Sequence, residues 1–143
     1  MEDAYSSAFY DVVKETQCKS GYELPLEIES YIVMLLASFI DKPNFLPQKT
    51  FAQCYLTLQE QKKYDAKTLG DTCLFVRDVF PNYGKRYGIQ KSYYSQIGKS
   101  SYEIVSEVLH QELFGKLAYH FDFLGDFIGM SIKSNPSFDR RLQ

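Results

Sequence analysis

Apolar side chains recur at spacings of three and four along most of the chain, the period of a helix that buries one face. Residues 3–18 carry this pattern, with Asp3 as a potential N-cap, and Gly21 ends it. A second run begins at Pro25, which suits a first helical turn, and is predicted to be the most buried helix. Its apolar stripe consists of Ile28, Tyr31, Ile32, Leu35, Leu36 and Phe39.

The rest of the chain continues in helical patterns, and no segment alternates as a strand would. Asp65 or Thr68 is expected to cap one of these helices, which should end before Pro81. We therefore predict an all-α fold, a compact bundle of five to six helices. It should form a single domain over residues 1–135, followed by a flexible tail at 136–143. The later helical patterns cover residues 48–64, 66–80, 92–115 and 113–133.

Glycines interrupt several of these helical patterns, where each costs about 1 kcal/mol relative to alanine. Such a glycine is usually compensated by the close approach of a second helix. Gly125 and Gly129 are four residues apart and therefore share one helix face. That face is predicted to take part in a tight helix crossing or in self-association. The other two interrupting glycines are Gly70 and Gly98.

The composition is that of an ordinary globular protein, with 12 tyrosines, 11 phenylalanines and no tryptophan in 143 residues. A formal net charge of −2 argues against nucleic acid as the main partner, because counterion release requires many clustered cations. The longest apolar run, residues 31–40, is shorter than the ~20 residues of a membrane-spanning helix. Acidic residues stand where a secretory signal would be basic, so the sequence predicts a cytoplasmic protein without a membrane segment.

Residues for familiar catalytic or metal chemistry are sparse in this sequence. Cys18, Cys54 and Cys73 form no CxxC pair and lie among apolar neighbours, which predicts reduced, buried thiols. Glu107 and His110 form a Glu-x-x-His step, as in di-iron helical bundles, and Glu103 lies one turn earlier. A second such step is missing. We therefore predict no cofactor and favour a non-enzyme, with a metal site at these three residues as an alternative.

A stretch rich in tyrosine and basic residues, at 82–102, contains no acidic residue at all. Tyrosine and arginine are enriched at protein interfaces, and tyrosine beside cations also suits phosphate or single-stranded nucleic acid. We predict that this stretch forms a protein-binding surface. Binding of phosphate or single-stranded nucleic acid remains an alternative. The residues predicted to form this surface are Tyr83, Lys85, Arg86, Tyr87, Lys91 and Tyr93.

The segments "LGDTCLFVRDVFP", "YG" and "SYYSQIGKSSY", within residues 69–102, resemble a pattern in a group of small helical proteobacterial proteins. That group has no established activity, so the resemblance implies a helical structure and a bacterial origin. It also implies a structural module in which a helix ends at a proline and a second helix packs back through Gly98. Asp71 would then bond a tyrosine hydroxyl or the turn. The module residues are Gly70, Asp71, Pro81, Tyr94, Gly98 and Tyr102.

Together these observations predict a non-catalytic cytosolic interaction protein, such as an adaptor, a regulator or a small structural subunit. A protein partner is expected. This partner can be a second copy of the chain, which would make the protein a homodimer. The alternatives are a helical-bundle metalloprotein or enzyme, and a weak binder of nucleic acid or phosphate.

Overall fold

The computed structural model describes residues 4–40, 51–56, 58, 65–80 and 89–135 of the chain. Within these ranges the chain forms seven helices and no β-strand, which confirms the all-α prediction. In the same ranges, no helix has the combination of length and hydropathy that a bilayer crossing requires. The helices are α1 Ala4–Ser20, α2 Leu26–Phe39, α3 Phe51–Leu56, α4 Ala66–Val79, α5 Lys91–Leu109, α6 Glu112–Tyr119 and α7 Phe121–Lys133.

The helices outnumber the five to six expected because two histidines form corners within the last two helical patterns. His110 follows α5 in the left-handed region, with φ 54° and ψ 40°. The Ser106 hydroxyl donates to the Gln111 carbonyl at 3.1 Å and so bridges this corner. His120, with φ −97° and ψ 18°, separates α6 from α7. The apolar spacing continues through both corners, so it could not reveal them.

Other helix ends lie where local chemistry predicted them. The Asp65 carboxylate accepts a hydrogen bond from the Thr68 backbone N–H at 2.7 Å and caps α4, which ends at Val79. Gly21 has φ 77° and closes α1 with a hydrogen bond to the Gln17 carbonyl at 3.0 Å. Pro25 lies at the N-cap of α2, one residue ahead of the first turn.

The chain divides into two compact units, and the boundary between them falls inside α7. The first unit comprises Met1–Pro43 and Asp126–Gln143, and the second comprises Asn44–Gly125. The single domain expected over residues 1–135 stays a prediction, and the tail expected at 136–143 lies outside the described residues.

The first unit contains α1, α2 and the later part of α7. In α1 the side chains of Phe9 and Val13 are fully buried. Thr16 of α1 and Ser131 of α7 are also buried, and the Ser131 hydroxyl donates to the Thr16 hydroxyl at 3.1 Å. Burial of α2 is one-sided, with seven of its 14 residues buried, whereas α4 has nine buried among 14. The prediction that α2 is the most buried helix is therefore wrong.

In the second unit, α4 and α5 form the most extensive helix pair. Tyr102 of α5 is fully buried, and its hydroxyl donates to the Asp71 carboxylate at 2.7 Å. Its ring lies over Gly70, where an added Cβ would be 2.7 Å from ring atom Cδ1. The expected bond between Asp71 and a tyrosine hydroxyl is therefore confirmed, and the absent side chain at Gly70 lets α4 approach α5.

Two further glycines of the second unit lie against large side chains. Gly98 of α5 faces the ring of Phe121 at the start of α7, and an added Cβ would overlap that ring. The expectation that α5 packs onto α4 through Gly98 is therefore wrong, because Gly70 provides that approach. Gly125 is buried against the side chains of Arg77 and Asp78 of α4, and the tight helix crossing predicted for the face of Gly125 and Gly129 stays a prediction. The surface of Gly125 is not free for self-association.

Candidate interaction surfaces

A polar network joins α4, α5 and the first turn of α7 in the second unit. The Arg77 guanidinium, whose side chain is 9% exposed, contacts the Asp78 carboxylate through Nη1 and donates from Nε to the Ser95 hydroxyl at 3.0 Å. Ser95 in turn donates to the Asp122 carboxylate at 2.5 Å. A buried arginine is tolerated only when its charge is paired and its N–H groups are bonded, and this network meets both conditions.

Two lysines from the basic stretch complete this network at the surface. Lys91 Nζ lies 2.7 Å from the Asp78 carboxylate, and Lys99 Nζ lies 3.0 Å from the Asp122 carboxylate. A surface depression of about 390 Å³ adjoins the network. With three cations and two carboxylates, the network has a net charge near +1. The depression is lined by Arg77, Ser92, Ser95, Gln96, Lys99 and Asp122.

The network also changes the acidity of Asp122. The hydrogen bond from Ser95, together with Lys99 and the charge of Arg77, lowers the pKa of Asp122 below its ordinary value, although partial burial opposes this shift. A carboxyl group with a lowered pKa in the folded state adds stability above its unfolded pKa of about 4. That stability is lost as the pH falls through the folded value.

Replacing Asp122 by asparagine should therefore destabilise the protein at pH 7 and have a smaller effect near pH 3, because the stability that comes from the lowered pKa is lost progressively as the pH falls below about 4. Urea unfolding at both pH values measures the difference between the two proteins. Asp11→Asn, at an exposed position of α1, is the control and should change stability little. An Asp122→Asn effect of equal size at both pH values would contradict this account.

The tyrosine-rich surface predicted from the sequence falls mostly outside the described residues. This is the case for Tyr83, Lys85, Arg86 and Tyr87. Of its other members, Lys91 pairs with Asp78, as described above. Tyr93 is half-buried, and its hydroxyl accepts a hydrogen bond from the Ala52 backbone N–H in the first turn of α3 at 3.0 Å. Both described members therefore make contacts within the second unit, and their role in binding a partner stays a prediction.

The alternative metal site is not assembled by the described residues. Glu103, Glu107 and His110 are all exposed, and no group of three or more metal-binding side chains occurs in the described ranges. The Glu-x-x-His spacing assumed a continuous helix. His110 instead leaves α5 in the left-handed conformation, so helical spacing does not align it with the two glutamates.

The cysteines differ in exposure. Cys54 and Cys73 are buried as predicted, and burial raises the pKa of the Cys73 thiol well above its ordinary value. Cys73 is thus held as an unreactive thiol. Cys18, however, is exposed near the end of α1, so its predicted burial is wrong. The buried apolar residues of α1, among them Val12 and Val13, lie on the other face of the helix.

In the first unit, a buried carboxylate fixes α1 against α2. Glu29 is 3% exposed and lies 2.9 Å from Lys14 Nζ, while Gln17 donates to it at 2.6 Å. Gln17 also accepts a hydrogen bond from the Leu24 backbone N–H at 2.7 Å. Burial raises the pKa of Glu29, but the bonds from Gln17 and Lys14 outweigh it, and the pKa lies below its ordinary value. The inner side of α2 is thereby oriented towards α1.

The opposite side of α2, which we call the outer face, is exposed and almost free of charge. Leu26 is 76% exposed and Met34 is 68% exposed. From Ser30 to Ile40 the sequence contains no charged residue, so Glu27 is the one exposed charge of this fully described helix. An exposed helix face normally carries charged side chains along its length. The outer face consists of Leu26, Glu27, Ser30, Tyr31, Met34, Ala37 and Ser38.

Another exposed apolar site differs from the outer face in its charge. Val108 and Leu109 are 69% and 52% exposed at the end of α5. Exposed Glu107 and Glu112 flank them within a few residues along the chain. Acidic neighbours keep such a corner well hydrated, so it needs no partner to explain it. The outer face of α2 is the more unusual surface.

Sequence reasoning missed the outer face because it examined only the buried stripe of the same helix. The signal was nevertheless present. A helix with apolar residues on both sides and no charge over eleven positions, 30–40, has an unusual solvent-facing side.

Comparison with protein-family models, curated proteins and solved structures finds no match to this chain. The resemblance to the proteobacterial group stays a prediction.

Proposed function

We propose that this protein is a non-catalytic helical interaction protein, an adaptor or small structural subunit, that binds another polypeptide chain through the outer face of α2. The observation that supports the proposal is the exposure of Leu26 and Met34 on a helix face whose single charge is in its first turn. Exposed apolar surface of this kind often marks a site of protein contact.

The chemistry of the outer face indicates the kind of partner that it fits. A face whose single charge lies at one end loses little hydration energy when its other part is covered, and each buried apolar side chain then contributes favourably. Ser30, between the larger Leu26 and Met34, is small, as are Ala37 and Ser38 beyond Met34, so a second helix can approach closely at these positions. A helix with an apolar face of similar period is therefore the expected partner.

The alternative functions have weaker support. The cations beside the depression already contact Asp78 and Asp122, which reduces their attraction for phosphate. The exposed carboxylates of Glu103 and Glu107 are not grouped with His110 at a metal site. A cytoplasmic location is part of the proposal, and it is supported by Cys18, Cys54 and Cys73, none of which forms a disulfide, since reduced thiols are typical of reducing compartments.

The two described methionines provide a direct test in cells. In an isolated chain, Met34 at 68% exposure should be oxidised by peroxide faster than Met130 at 39% exposure. If a partner covers the outer face in cells, Met34 should instead be oxidised more slowly than Met130. Mass spectrometry of the two methionine-containing peptides, from treated cells and from dilute purified protein, measures this ratio.

Two lysine substitutions serve as controls for this experiment. Ser30→Lys places a charge on the outer face and should return the ratio in cells to that of the dilute protein. Leu56→Lys, at a residue of α3 that is 80% exposed, should leave the protection of Met34 intact. The same oxidation ratio in cells and in dilute protein would contradict the proposed function.

A further inference from the structure

We infer that the partner on the outer face of α2 is a second copy of this chain, with the two α2 helices antiparallel about a two-fold axis. This inference rests on the proposed function and identifies the partner of that same surface. The supporting observation is the order of side chains at four-residue steps along the face, which is Leu26, Ser30, Met34, Ser38. Large and small residues alternate along this ridge.

The alternation is self-complementary only when the helices run in opposite directions. A two-fold axis midway between residues 30 and 34 places Met34 of each chain over Ser30 of the other. The same axis places Leu26 over Ser38. Each level of the contact then joins one large and one small side chain, which fills space evenly. A parallel pair would set methionine against methionine and leave a gap between the serines.

Charge favours the same direction. In the antiparallel pair, Glu27 of one chain lies beside Ala37 of the other, whereas a parallel pair would bring the two Glu27 carboxylates together. Opposed helices also place the positive end of one helix dipole beside the negative end of the other. The central part of the contact, from Ser30 to Met34, contains no exposed charge from either copy.

The size of the face sets the expected strength of association. From Leu26 to Ser38 the helix is about 18 Å long, so one α2 pair belongs at the small end of protein interfaces. Association through such a contact should be reversible and depend on concentration. We expect half of the chains to be dimeric at a concentration on the order of 10 µM.

Cysteine pairs can test both the partner and the direction of the helices. In a Cys18→Ser background, which removes the exposed native thiol, Ser30→Cys protein is mixed with Met34→Cys protein and oxidised. A disulfide requires the two Cβ atoms to be about 3.5–4.5 Å apart. The mixture should yield at least about fivefold more covalent dimer than either variant alone, since the antiparallel pair brings residue 30 only to residue 34. Leu26→Cys mixed with Ser38→Cys should behave in the same way.

Other outcomes would overturn the inference in distinguishable ways. Equal cross-linking by each variant alone would indicate parallel helices, and no cross-linking in either mixture would exclude the α2 pair. Met34 can be protected from oxidation in cells while a higher concentration of the purified protein fails to protect it. In that case the partner is a different chain. The inference then fails while the proposed function stands. If Met34 is protected neither in cells nor in concentrated purified protein, both the inference and the proposed function fail.

Discussion

Replacing Gly98 by alanine is expected to lower the free energy of unfolding by about 2–3 kcal/mol, although alanine is the better helix former. The reason is the ring of Phe121, which occupies the place that a Cβ at position 98 would need. Both residues are buried, and the ring lies in a packed core that cannot move aside freely. Urea unfolding of the two proteins, followed by circular dichroism, measures the change.

Gly115→Ala is the matched control, because it also replaces a helical glycine of the second unit. A Cβ at position 115 would lie 3.3 Å from the Ser106 hydroxyl, where a small shift of one side chain relieves the contact. This substitution should be neutral or stabilise the protein by up to about 1 kcal/mol. Equal effects at positions 98 and 115 would show that packing against Phe121 does not explain the glycine.

Removing the Asp78 carboxylate should have the largest electrostatic effect among the residues that the structure describes. Asp78→Ala would leave the buried guanidinium of Arg77 without its closest charged partner, at a cost of about 3–5 kcal/mol. Asp122 can compensate only in part, since its carboxylate lies 3.7 Å from Arg77 Nε and is half-exposed. Asp11→Ala, at an exposed position, should change stability by less than about 0.5 kcal/mol.

A double variant separates the charge from the packing at this site. In Arg77→Met with Asp78→Leu, no buried charge is left unpaired, and the apolar side chains still cover Gly125. The double variant should therefore be more stable than Asp78→Ala, as measured by the same urea unfolding. If the double variant is the less stable of the two, the network contributes more than mutual neutralisation of its charges, contrary to our account.

Local chemistry was the most reliable guide from sequence to structure. The cap at Asp65 and the end of α1 at Gly21 depend on one residue and its immediate neighbours, so both could be predicted. The bond between Asp71 and Tyr102 was expected only through the resemblance, which suggested a tyrosine hydroxyl as the partner. The cap and the helix end are thus decided by contacts within a few residues, whereas the Asp71–Tyr102 bond joins residues 31 positions apart.

Features that depend on distant parts of the chain were predicted poorly. The corners at His110 and His120 interrupt helical patterns whose apolar spacing is continuous, so this spacing does not show where the helices end. Arg77 is buried, against the general preference of long cations for solvent, because the carboxylates of Asp78 and Asp122 pair with it. Those partners could not be identified from spacing alone.

The candidate site shows the same limitation. Lys91 and Tyr93 were selected for their residue types, but each makes a contact within the second unit that the sequence did not reveal. The outer face of α2 was missed because exposure, rather than composition, distinguishes Leu26 and Met34 from the buried apolar residues around them. Residue types suggest several candidate binding surfaces. The exposure of their side chains in the structure then selects the outer face of α2 among them.

Sedimentation equilibrium of the purified protein tests most directly whether a second chain covers the outer face of α2. From about 1 to about 100 µM, the account predicts that the average mass rises from the 16.6 kDa of one chain towards twice that value. Met34→Lys protein, with a charge at the centre of the face, should stay at the mass of one chain throughout. A wild-type protein that also stays at 16.6 kDa over this whole range would contradict the account.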